Sequence, residues 1–201
     1  MQQRSALPPV AQADEIAARG FQTRTDLGQH FLRSPETARR LMGCVDIPAD
    51  TQVIEVGAGL GTLSKTIAMA GYRIWAIEKD ERLGQQLTSQ LTEFGDRARL
   101  TIGDVRHVDL ERGAGARSFL VSIMPFDPAL SLTLIDHVLN IPAVTGALVV
   151  LPRAAGDRLV SAAERRLRVA EVDGISRSDF WPPAPTVLRV MTIEKVLPCR
   201  I

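Results

Sequence analysis

Apolar residues fall along this chain in short blocks separated by polar turns, and the spacing within each block sets its element. Val53-Ile54-Glu55-Val56 is rich in branched side chains and reads as a buried strand. Leu63, Ile67 and Ala70 repeat at helical spacing, which predicts a helix opening near Leu60. Tyr72 to Ile77 reads as the neighbouring strand with Glu78 at its carboxyl end, and Leu100 to Val105 as a third, carrying Asp104 at its tip. Ser118 to Met124 is a fourth strand stopped by Pro125, a helix from Ala129 to Leu139 follows, and Ala147 to Leu151 is a fifth strand. Arg153 to Arg168 is expected to be helical, with Val187 to Val196 as a last strand.

Ahead of these blocks the signals are sparser. Residues 1 to 10 read as a flexible lead, and Ala11 to Arg19 as a short helix ended by Gly20. Phe21 to Leu32 has no clear period. Ser34 is placed to cap, and Pro35 to open, a helix over Glu36 to Cys44. Strand and helix alternate almost throughout, so the expected fold is α/β, a doubly wound, mostly parallel sheet of about seven strands. Residues 1–50 form an N-terminal appendage over its carboxyl edge, and residues 51–201 the main domain.

The turn between the first strand and its helix narrows the chemistry. Gly57, Gly59 and Gly61 let the backbone approach a ligand that a Cβ would push away, and a helix start behind them presents free N–H groups. A carboxylate about twenty residues on, Glu78, stands where doubly wound folds bind a ribose diol. Asp104 is placed to accept from an adenine amine. A glycine turn alone also serves plain helix–strand packing. The spacing here is G-x-G-x-G with Glu55 before it, the form usual in domains that bind S-adenosyl-L-methionine.

Composition excludes several classes. The 201 residues are 45% hydrophobic, enough for a substantial core, and carry a formal net charge of +1, which argues against RNA binding by bulk electrostatics. Arginine supplies most of the positive charge, which suits phosphate and planar ligands but equally reflects base composition of a genome. Cys44 and Cys199 have no metal spacing and read as free thiols, and His30, His107 and His137 are scattered, so no metal is expected. No apolar run is long enough to span a bilayer, which predicts a cytoplasmic protein without a membrane partner.

Several segments, in order, resemble one family, the ribosomal RNA adenine N6 dimethyltransferases, which include the macrolide-resistance rRNA methylases. Leu27-Gly28-Gln29-His30-Phe31-Leu32 resembles the family's G-Q-N-F-L segment, and Val53 to Leu63 its cofactor loop. Ile77-Glu78-Lys79-Asp80 and Gly103-Asp104 resemble its acidic strand ends, and Arg158-Leu159-Val160 its E-R-L-V helix. Phe180-Trp181-Pro182-Pro183-Ala184-Pro185-Thr186-Val187 resembles its F-x-P-P-P-x-V loop. The resemblance spans most of residues 26–195. It implies the Rossmann-like fold of class I methyltransferases with S-adenosyl-L-methionine as cofactor, held by His30, Leu32, Gly57, Gly59, Glu78, Asp104 and Ile123.

Two departures from the family bear on the acceptor. Where the family has N-L-P-Y this chain has Ile123-Met124-Pro125-Phe126, and isoleucine cannot accept the hydrogen bond that the family's Asn takes from an adenine amine. A lost transition-state hydrogen bond of roughly 2–4 kcal/mol slows a reaction on the order of 10² to 10³ times. The chain also ends at Ile201, so the family's C-terminal helical domain is expected to be absent.

Methyl transfer from a sulfonium is a direct displacement and needs no protein nucleophile. The expected catalytic residues are therefore Met124, through its backbone carbonyl, Phe126 and Asp127, with Phe126 and Phe180 as walls of a planar-substrate slot. Asp127 would be a replacement acceptor or else the cap of the helix beginning near Pro128, and His30 an ordinary loop residue if it does not touch the cofactor. Phe126 and Phe180 could equally be core. The expected function is methyl transfer to a diverged, small planar metabolite. The alternatives are the family's rRNA adenine activity and a non-catalytic RNA-binding or assembly factor.

Overall fold

The computed structural model describes Ala13, Ala17 and residues 20–162 and 167–196. Its strands are β1 (Phe31–Leu32), β2 (Gln52–Val56), β3 (Arg73–Glu78), β4 (Ala98–Ile102), β5 (Ser118–Ile123), β6 (Val144–Pro152), β7 (Leu167–Asp173), β8 (Phe180–Trp181) and β9 (Leu188–Lys195). Its helices are α1 (Pro35–Met42), α2 (Thr62–Met69), α3 (Gly84–Leu91), α4 (Leu110–Gly113), α5 (Pro128–Leu139) and α6 (Arg153–Ala162). Seven strands form one sheet in the order β4-β3-β2-β5-β6-β9-β7. All run parallel except β9, which is antiparallel to β6 and β7.

Both faces of the sheet are covered, which explains why its central strands are almost continuously apolar. Val53, Ile74 and Val121 point to one face and pack with Leu41 of α1, Ile67 of α2 and Leu87 of α3. Their neighbours Ile54, Trp75 and Leu120 point to the other and pack with Leu110 of α4, Ile135 of α5 and Ala155 of α6. Strand order reverses between β2 and β5, the point where open sheets of this kind leave a crevice at the strands' carboxyl ends.

Local signals explain two of the helix starts. Ser34 accepts a hydrogen bond from the Glu36 N–H and Pro35 is the first residue of α1. Asp127 caps α5 in the same way through the Leu130 N–H, with Pro128 behind it.

Three expectations need correction, and a fourth falls outside the described residues. The helix after the glycine turn begins at Thr62 rather than near Leu60, because Gly61 is left-handed at its N-cap position; Ala70 is exposed, so its buried face is Leu63, Ile67 and Ala68. The third strand is Ala98–Ile102, which leaves Asp104 in the following loop as cap of a short 3₁₀ turn, Val105–His107. The helix expected over Arg153 to Arg168 ends at Ala162, and Arg168 belongs to β7, an edge strand. The expected helix over Ala11 to Arg19, apart from Ala13 and Ala17, lies outside the described residues, as do Arg165 and Arg166.

A second, two-stranded sheet matters for function. β1 pairs antiparallel with β8, Phe31 opposite Trp181 and Leu32 opposite Phe180. It joins segments about 150 residues apart at the carboxyl end of β2, where Thr62 Oγ1 donates to the Leu32 carbonyl at 3.2 Å.

Candidate functional site

The carboxyl ends of β2, β3 and β5 open onto a cavity of about 160 Å³, with a smaller one of about 40 Å³ beside it. Gly57, Gly59, His30, Phe31 and Ile123 border both. Glu78, Asp104, Met124 and Phe126 line the larger, Leu32 and Glu55 the smaller. Apart from Asp127, Phe180 and Gly61, the last of which packs against Gln90 and Leu87, every residue expected at the site borders one of the two.

The glycine turn fits a closely held ligand. Gly57 and Gly59 have φ of 77° and 57°, a region L side chains rarely adopt. A Cβ on Gly57 would have only the Ile123 carbonyl near it, at 3.8 Å, and one on Gly59 would press on the Phe31 ring at 3.0 Å. The turn is therefore open at Gly57 and backed by β1 at Gly59.

Two buried carboxylates lie under this turn. Glu55 is fully buried and accepts from the Ser64 hydroxyl; burial, offset by that bond and reinforced by the charge of Glu78, pushes its carboxyl up to about 8. Glu78 accepts from the Gly59 N–H at 2.8 Å through one oxygen and from the Asp80 N–H at 2.7 Å through the other. Burial is the largest influence on Glu78 and raises its carboxyl above the usual range, against the pull of those N–H groups. A carboxylate has about four lone-pair sites, so each oxygen keeps one for a ligand hydroxyl.

Asp104 is in a different state. One oxygen accepts from the Arg106 N–H and Nε, and the other from Arg106 Nη2 and from Lys79 Nζ at 3.1 Å. The Arg106 guanidinium holds its carboxyl well below the usual range. With four donors on four sites, a ligand amine reaches this carboxylate only by displacing Lys79 or Arg106.

The other end of the cavity is apolar. Ile123, Met124, Pro125 and Phe126 form one corner, and Leu130 and Leu134, one turn apart on α5, close it. Phe126 lies against the His30 ring, centroids 4.9 Å apart and planes at 29°. Two expectations for this corner are corrected. Phe180 is fully buried and meets Phe126 edge-on at 5.5 Å, so it props that ring from behind instead of walling a slot. Asp127 is the α5 cap and does not border the cavity.

Sequence reasoning missed a strap of side chains around Asp80, just past the carboxyl end of β3. Gln29 Nε2 donates to Asp80 at 2.7 Å, its side-chain oxygen accepts from the Arg24 N–H, and Arg82 Nε donates to Asp80 at 2.9 Å. These bonds pull Asp80 down to about 2, Arg82 being the main cause. Arg82 also lies over the Phe21 ring at 4.8 Å. No periodicity marks such a strap; the Ile77-Glu78-Lys79-Asp80 run and Gln29 within residues 27–32 were its visible traces. The Leu130–Leu134 spacing could have shown the apolar wall. Among the described residues no group of three potential ligands could hold a metal ion, and no helix is long and apolar enough to cross a membrane.

An open, mostly parallel seven-stranded sheet of this order, with a glycine turn and a buried acidic strand end at its switch point, is the architecture of class I methyltransferases. Solved structures agree on the fold. The 23S rRNA methyltransferase ErmE superposes with a TM-score of 0.71 at 19% identity, over 83% of this chain and 70% of that one. A dimethyladenosine transferase from Plasmodium falciparum gives 0.68 at 18%, over 83% and 64%. Residues 20–170 match the model of the ribosomal RNA adenine dimethylase family, and the chain belongs to that family, whose members use S-adenosyl-L-methionine.

Among curated relatives, ribosomal RNA small subunit methyltransferase A of Corynebacterium diphtheriae is 30% identical over 181 residues, 80% of this chain and 59% of its own length. That of Opitutus terrae is 31% identical over 159 residues, 77% of this chain and 57% of its own length. This chain thus spans under two thirds of these relatives.

Proposed function

We propose that this chain is an S-adenosyl-L-methionine-dependent N-methyltransferase whose acceptor is the exocyclic amine of an adenine in ribosomal RNA. The observation that carries the reading is one cavity bordered at once by the Gly57–Gly59 turn, by Glu78 with a spare lone pair on each oxygen, and by the Met124–Phe126 corner. Family membership and relatives named for ribosomal RNA methylation support the acceptor.

In this reading Glu78 binds the ribose diol, and Gly57 and Gly59 admit the methionine part, with His30 and Leu32 beside it and Ile123 between the two cavities. When bound, the cofactor supplies an electrophilic methyl on a sulfonium. The apolar corner excludes water from the line of displacement, and Phe126 offers one edge of a planar acceptor's seat. Asp104 serves the adenine end once Lys79 or Arg106 yields.

One observation favours a second acceptor, a small planar metabolite: the Ile123 side chain at the corner has no lone pair for an adenine amine. The test is to incubate the protein with radiolabelled methyl donor and either small ribosomal subunits or a cell-extract metabolite pool. Label in adenine N6 of the ribosomal RNA supports the first reading, and label in the metabolites alone replaces it with the second. No label in either leaves the non-catalytic reading.

A further inference from the structure

His30 stands where the two cavities meet and borders both. Its Nδ1 lies 2.8 Å from the Pro182 carbonyl oxygen, in the loop that follows β8. A carbonyl oxygen only accepts, so Nδ1 carries the proton, and in the neutral ring Nε2 is then a lone-pair acceptor. Among the described residues Nε2 has no hydrogen-bond partner, and it is not a buried orphan, so it is open to solvent. The ring is fixed on two sides, by Pro182 through Nδ1 and by Phe126 through its face.

The corner beside it lacks any other free base, and Asp26, which also lines the cavity, is ion-paired with Arg24. Ile123, Met124, Pro125, Phe126, Leu130 and Leu134 carry no charged or basic group, and Asp127 is turned away to cap α5. Glu78 and Asp104 are at the far end, under the glycine turn and between two cations.

We propose that His30 Nε2 is the catalytic base that receives the acceptor amine's proton. The inference rests on the methyltransferase reading above. In the step, the amine nitrogen's lone pair forms the new N–C bond to the methyl, the S–C bond breaks, and its electron pair stays on sulfur as a neutral thioether. The surplus proton on nitrogen passes to Nε2, giving an imidazolium that the Pro182 carbonyl continues to hold, and leaves to water. His30 thereby supplies from β1's side the polar contact that Ile123 cannot supply from β5.

Two measurements test it. The ¹⁵N spectrum of histidine-labelled protein, with His30 assigned by its loss in His30→Ala, reads the tautomer without any turnover. Methyl transfer by wild type, His30→Ala and His30→Phe is then measured on whichever fraction, small ribosomal subunits or metabolites, takes up label. The proposal expects a protonated Nδ1 and a bare Nε2, and at least about a 100-fold loss of transfer in both variants. Rates are compared at saturating methyl donor, because His30 also lies beside the cofactor's methionine part, and added imidazole should restore part of the His30→Ala rate. An Nε2–H ring, a variant rate near wild type, or loss without rescue overturns the proposal and leaves the methyltransferase reading intact. A wild-type protein that labels neither fraction overturns that reading, and the proposal with it.

Discussion

Replacing Glu55 by glutamine removes an acid that the fold holds in its neutral form. Glu55 sits in β2 with 1% of its surface exposed and with the Ser64 hydroxyl as its hydrogen-bond partner. Burial raises its carboxyl from 4.5 to about 8. The native state therefore binds one more proton than the unfolded chain between those values. Stability from this group is full below the unfolded value and is lost as pH rises through the folded one. At about 1.4 kcal/mol per pH unit, the wild type loses on the order of 3 kcal/mol between pH 5 and pH 8 through this group alone. Glutamine keeps the acceptor oxygen for Ser64 and does not titrate. Urea unfolding of both proteins at pH 5, 6, 7 and 8 should show the variant gaining on the wild type as pH rises. A stability difference that stays constant across that range would refute the burial argument.

Substitutions at three further positions probe the site. Asp127→Ala should cost about 1 kcal/mol by uncapping α5 while Asp127→Asn costs little, as read by thermal unfolding; a large loss of methyl transfer in Asp127→Asn would return the residue to the catalytic site. Gly59→Ala combines a left-handed φ with a Cβ 3.0 Å from the Phe31 ring, so it should cost about 1–3 kcal/mol in chemical unfolding and weaken S-adenosylhomocysteine binding. Ile123→Asn should raise transfer to adenine in ribosomal RNA, by up to about 10²-fold; no gain at all would count against the role given to position 123.

What was legible in the sequence was whatever depends on local pattern. β2, β3 and β5 are buried on both faces, and their apolar runs mark them clearly. Ser34-Pro35 and Asp127-Pro128 mark two helix starts because caps are local chemistry. β7 was hidden because an edge strand buries little: Arg168, Ala170 and Glu171 are exposed, and the arginines before it continue the periodicity of α6. β4, the other edge, was misplaced by two residues at its start and three at its end for the same reason.

The site divides along the same line. The Gly57–Gly59 turn and Glu78 follow from strand–turn–helix order, which chain spacing records. The filled lone pairs of Asp104, the burial of Phe180 and the hold of Pro182 on His30 depend on side chains that meet only after folding. The antiparallel pairing of β1 with β8 brings the last two together across about 150 residues. A motif can name both segments, yet their pairing is visible only in three dimensions.

The central claim is that the cavity under the glycine turn holds S-adenosyl-L-methionine. Calorimetric titration of the protein with S-adenosylhomocysteine tests it most directly, with Glu78→Ala as the matched control. The account predicts a saturable 1:1 isotherm for the wild type and an affinity at least about tenfold weaker for the variant, from the loss of hydrogen bonds to a charged group. Absence of binding by folded wild-type protein, or equal binding by both, would contradict it.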